Sequence, residues 1–139
     1  MNFPLIIMIV AAVAMGVILV VIITLTRGKN GLLDQKEYRV RWLEIENGLE
    51  IKNVANYQFA VLAADKLLDQ ALRDLDLEGD TIDDRLKNAK NKFSNLNTVR
   101  AARKIRNRIA HEADVNLDLT STKQALAAFK KALKELGAI

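Results

Sequence analysis

The stretch Lys104-Ile105-Arg106-Asn107-Arg108-Ile109-Ala110-His111-Glu112 brings the chain's only histidine together with two arginines and an asparagine. Those residue types suit metal-free cleavage of RNA. The reaction needs a base for the 2′-hydroxyl, an acid for the leaving 5′-oxygen and a cation for the charged phosphorane. Histidine titrates near neutrality and suits both proton transfers. Arginine stays charged and forks onto phosphate oxygens. Arg106, Asn107 and His111 are therefore the catalytic candidates, with Asn107 orienting either partner. The bland alternative is that Arg106, Arg108 and His111 only favour the negative end of their own helix, at about 0.3–1 kcal/mol each.

Other chemistries lack their residues. The chain has no cysteine, so it has neither a thiol nucleophile nor a thiolate metal site, and one histidine cannot make an HExxH pair. No phosphate-binding glycine loop and no GxSxG elbow occurs. No metal and no cofactor is expected. Around the motif, Arg85 to His111 contains nine basic residues and no acid, whereas Asp65 to Asp84 contains eight acids against Lys66 and Arg73. The basic block would attract a phosphate backbone or anionic lipid. Arg100, Arg103, Lys104 and Arg108 are its nucleic-acid-binding candidates. The alternative is a solvated face balanced by the acidic helix beside it. Phe93 is the block's only aromatic residue, which argues against a base-stacking platform.

Arg106-Asn107-Arg108-Ile109-Ala110-His111 resembles the signature of HEPN domains, an Arg followed by a polar residue, a few variable positions and a His, on a late helix of a four- or five-helix bundle. The resemblance covers roughly Leu33 to Leu136 in architecture and six residues in motif. It implies a homodimer with the Arg and His of both chains in a shared cleft. It also implies either a metal-independent endoribonuclease or a module that binds RNA or a protein partner, including one of antitoxin type. An N-terminal membrane anchor departs from the common soluble form.

Geometry adds its own constraint. Five residues of ideal helix turn through about 500°, which leaves Arg106 and His111 roughly 140° apart around the axis. Either the helix ends before His111 or a second subunit completes the site. Arg103, Asn107 and His111 follow one i, i+4 line and are expected to share a face.

The elements that must position these residues fall into two compartments. All 21 Lys and Arg and all 17 Asp and Glu residues follow Thr26. Leu5 to Ile23 is apolar apart from Gly16, and a helix of about 20 residues crosses the hydrocarbon core. Met1 to Pro4 carries no basic residue and the run is long, so residues 1–26 are read as an uncleaved transmembrane anchor rather than a signal peptide. Arg27, Lys29, Lys36, Arg39 and Arg41 all follow the span. The positive-inside rule therefore predicts a short outer N-terminus and a cytoplasmic C-terminal domain on a single-pass protein of the cell membrane. Ala12 and Gly16 form a small-xxx-small pair of the kind that lets spans pack closely.

Residues 27–32 read as a linker and 33–139 as an all-α domain, an up-and-down bundle of four to five helices. Its apolar stripes are Tyr38, Trp42, Ile45 and Leu49, and then Val54, Tyr57, Val61, Ala64, Leu68, Ala71 and Leu75, broken by Gly79. Ile82, Leu86, Ala89 and Phe93 follow after a capping-box-like Thr81/Asp84. The last two stripes are Val99, Ala102, Ile105, Ile109 and Leu126, Phe129, Leu133, Leu136, the final helix stopping at Gly137. Two function classes result: a membrane-tethered HEPN-like ribonuclease or RNA-binding module, and a non-catalytic membrane-anchored protein-interaction module.

Overall fold

A computed structural model describes residues 2–27 and 33–139, and among them every regular element is helical. Beyond Arg27, the linker expected over 27–32 lies outside the described residues. The chain divides into two compact units, residues 1–32 and 33–139.

The first unit is the helix α1 (Phe3–Arg27). Pro4 sits in its first turn, where a missing N–H costs nothing. Phe3–Ile23 is long and apolar enough to cross a membrane, and its side chains are exposed all round. A helix that is apolar on every side has no polar face to offer water.

The second unit contains α2 (Gln35–Asn47), α3 (Val54–Asp74), α4 (Ile82–Asn88), α5 (Leu96–His111) and α6 (Leu119–Glu135), with a 3₁₀ turn at Lys90–Lys92. Each of these five α-helices opens on a side-chain cap, from Asp34, Asn53, Thr81, Asn95 and Asp118 in turn. Such a residue satisfies a backbone N–H that the first turn leaves orphaned. Thr81 and Asp84 close the reciprocal capping box that their spacing predicts.

Bonds between helices give the topology. The Tyr38 hydroxyl donates to Asp74 (2.7 Å), which sets the start of α2 beside the end of α3. Gln58 Nε2 donates to the Val115 carbonyl (2.8 Å), so the start of α3 lies beside the α5–α6 connection. Ser94, before α5, bonds Glu135 at the end of α6. The start of α2 also meets the end of α6 through Gln35 and Gly137 (3.0 Å). Four long helices thus alternate in direction, and α4 lies in the α3–α5 connection. This is the up-and-down arrangement expected from the stripes. Its core closes over Val61, Leu68, Leu72, Leu86, Phe129 and Leu133, all virtually inaccessible to water. The core residues all belong to 33–139, so this unit carries its own core.

The end of α3 differs from expectation. The helix stops at Asp74, five residues before Gly79, in a Schellman turn. Asp76 N–H donates to the Arg73 carbonyl (2.8 Å) and Leu77 N–H to that of Leu72 (3.2 Å), with Asp76 left-handed at φ 55°. Aspartate tolerates that region better than most residues, so the stop needs no glycine. Gly137 makes the same turn after α6, at φ 79°. Asp76→Gly is expected to stabilise the domain by about 0.5–1 kcal/mol, read as a higher urea midpoint.

Glu46 Oε1 accepts from Lys130 Nζ (2.8 Å) and from Trp42 Nε1 (2.7 Å), tying α2 to α6. The Lys130 ammonium, aided by the indole, holds this carboxyl below its ordinary 4.5 against the opposing effect of burial. A depressed carboxyl contributes stability above its unfolded value and loses it as pH falls through the folded one. Both partners are more than one-third exposed, so the contribution is about a few tenths of a kcal/mol. Glu46→Gln should flatten the stability profile below pH 4.5 by that amount, measured by urea unfolding at successive pH values.

Candidate functional site

Helix α5 divides its charged residues between two faces. Val99, Ala102 and Arg103 are buried, whereas Arg100, Lys104, Arg108 and His111 are exposed, with Asn107 half-buried at the edge between them. On a helical wheel the exposed four and Asn107 fall within a sector of about 100°. The outward stripe is basic along its whole length.

The inward face meets the acids of α3. Asp65 sits one position after Ala64 of the core stripe and is itself buried. Arg103 Nη1 lies 3.2 Å from its Oδ1, and Arg106 Nε lies 3.1 Å from its Oδ2. Arg103 Nε reaches Asp83 Oδ1 of α4 at 3.3 Å. Arg106 Nη1 donates to Asn107 Oδ1 (3.2 Å), although its buried Nε is not aligned for a hydrogen bond with any neighbour among the described residues. Burial pushes the Asp65 carboxyl up, while Arg103 and Arg106 pull it down. A cleft of about 410 Å³ opens here, lined by Leu62, Asp65, Lys66, Asp69, Ile82, Arg103 and Arg106.

A second pair extends the seam. Arg85 of α4, also buried, sets Nη2 at 2.7 Å and Nε at 3.2 Å from Asp69 Oδ1, and its Nη1 donates to the Gly79 carbonyl (2.7 Å). Arg73 takes the other Asp69 oxygen (2.9 Å) from a more exposed position. Three of the nine basic residues in the block are thus partnered by acids of α3.

Arg106 is about two-thirds buried and held at Asp65, and Asn107 is bonded to Arg106. His111 is the last residue of α5, and its side chain makes no hydrogen bond or ion pair among the described residues. The Glu112 N–H still donates to the Arg108 carbonyl (2.8 Å), so the helix runs regularly through His111. That excludes an early helix end as the means of joining Arg106 to His111.

The expected shared face of Arg103, Asn107 and His111 drifts by about 40° at each i, i+4 step. The line therefore starts buried at Arg103 and ends in solvent at His111. Of the four nucleic-acid candidates, Arg100 and Lys104 are exposed and Arg108 contacts Glu112 at the surface (3.5 Å), whereas Arg103 is enclosed between α3 and α4. Among the described residues no cluster of His, Cys, Asp or Glu side chains could hold a metal ion.

Asp65 and Asp83, which hold Arg103, and Asp69, which holds Arg85, are absent from the sequence-based candidates. The available signal was Asp65 itself, a lone acid against an apolar stripe, four residues before Asp69. Searches of protein-family models, curated proteins and solved structures gave no match to this chain.

Proposed function

We propose that this protein is a single-pass membrane protein whose helical domain faces the cytoplasm and acts on RNA as an HEPN-like module. Arg106 binds the scissile phosphate, His111 transfers protons and Asn107 orients Arg106. The observation that carries this reading is the outward basic stripe of α5, which ends on an exposed His111 and takes in Asn107, the hydrogen-bond partner of Arg106. Such a stripe supplies the electrostatic footprint of a phosphate backbone. Arg100, Lys104 and Arg108 would position the strand and carry no sequence information.

One α5 cannot bring Arg106 and His111 onto one phosphate, so cleavage requires a homodimer with a composite cleft. Like charges on two basic helices repel until an anion lies between them. Confinement to one membrane raises the effective concentration of the two chains. Lipid, RNA, a second copy and an antitoxin-type protein are the partners this reading admits.

A second reading, a membrane-anchored interaction module without catalysis, is favoured by the engagement of Arg106 with Asp65. The full chain in vesicles, assayed with RNA in the presence of a chelator, separates the two. His111→Ala should lower cleavage by about 100-fold or more. It should leave the unfolding midpoint unchanged, because His111 is exposed. Mixed Arg106→Ala and His111→Ala chains should regain part of the activity. Full activity in a demonstrable monomer contradicts the composite cleft. A verified dimer that binds protein but cleaves no RNA supports the second reading.

A further inference from the structure

We infer that the outer face of α2 is a lipid-contact surface that lies on an anionic bilayer. Val40 and Leu43 are 50% and 55% exposed, and Ile51, in the loop that follows α2, is 67% exposed. The core side of α2 carries Tyr38 and Trp42. Val40 and Leu43 project from the other side, roughly 200° and 140° around the helix from Tyr38. Neither belongs to the core or packs against it, and as i, i+3 neighbours they form one apolar strip on the helix surface.

The charges around them favour lipid. Lys36 and Arg39 flank the apolar pair on the same side of α2, and Lys52 follows Ile51. Two of the four nearby acids are neutralised. Glu37 pairs with Arg41 (2.6 Å) and Glu46 with Lys130 (2.8 Å), while exposed Glu44 borders Val40 one turn on and exposed Glu50 precedes Ile51. Long basic side chains can bury their stems and keep their charged heads at anionic headgroups. An apolar strip flanked by cations is the composition of a helix lying in the interface plane.

Chain length supplies the occupant. The apolar helix α1 ends at Arg27 and α2 begins at Gln35, so residues 28–34 bridge the two. Seven residues span at most about 25 Å. If α1 spans a bilayer, as proposed above and as this inference assumes, α2 is the element of the domain with the shortest tether to the headgroups. A protein partner would have to compete with a surface that is always present.

The chain's lack of cysteine makes the test direct. Leu43→Cys, Val13→Cys and Lys123→Cys full-length chains would each carry a nitrobenzoxadiazole label in vesicles of phosphatidylcholine with phosphatidylglycerol. The Leu43 label should shift to the blue and be quenched by shallow doxyl lipids, more strongly than in phosphatidylcholine alone. The Lys123 label, on α6, should remain aqueous. A Leu43 label in water while the Val13 label is in lipid overturns the inference and leaves the span intact. A Leu43 label in lipid while the Val13 label is aqueous supports the surface and removes the span. A Leu43 shift that follows protein concentration rather than phosphatidylglycerol assigns the face to a second copy and overturns the lipid assignment.

Discussion

Asp65→Ala is expected to destabilise the helical domain by about 3–5 kcal/mol. Asp65 and Arg103 are each about 95% buried, and the Arg103 guanidinium reaches Asp65 at 3.2 Å and Asp83 at 3.3 Å. Removing Asp65 leaves a buried cation with only a marginal partner at its more exposed edge, and frees Arg106 from its anchor. The pair itself contributes little net stability, because desolvation offsets most of the attraction. The upward push of burial on the Asp65 carboxyl reflects that cost.

A carboxyl raised above its unfolded value does not promote acid unfolding. Its penalty is fully present above the folded value and disappears as pH falls to the unfolded one. The double variant Asp65→Leu/Arg103→Met should therefore be much less destabilised than Asp65→Ala. Urea unfolding of residues 33–139 measures both. A loss below 1 kcal/mol for Asp65→Ala would mean that water reaches Arg103. The more exposed Arg73 provides the contrast, since Arg73→Ala should cost about 0–1 kcal/mol.

Gly79→Ala is expected to cost about 3 kcal/mol through two independent effects. The residue sits at φ 149°, a region that L side chains rarely adopt, at a cost of about 1–3 kcal/mol. A Cβ there would also stand 2.7 Å from the Arg85 backbone nitrogen and 2.8 Å from Asp84 Cβ. Neither neighbour can yield easily, because Asp84 closes the capping box with Thr81 and the Gly79 carbonyl accepts from Arg85. The damage should spread along the seam, loosening the Arg85–Asp69 pair. A drop in urea midpoint with loss of amide protection in α4 is the expected result. Unchanged stability would show that the loop can take another path.

Sequence alone determined the all-helical class and the apolar helix that precedes the bundle. The uncharged run before Arg27 can only be a helix without a polar face. The 3–4 spacing from Tyr57 to Ala71 allows no other element, and Thr81 with Asp84 marks the start of α4 because capping is local chemistry. The motif on α5, and the divergence of Arg106 from His111, also follow from helical period alone. The stop of α3 was misplaced, because a Schellman turn can be made by aspartate and Gly79 is the more visible breaker.

What only the tertiary structure decided was the fate of each charge. A run of nine basic residues reads as one field, because sequence does not say which acids lie across the helix interface. Packing α3 against α5 gives Arg103 and Arg106 to Asp65, and packing α4 beside α3 gives Arg85 to Asp69. Arg100, Lys104, Arg108 and His111 remain on the outward face, because a helix that buries one side must present the other to solvent.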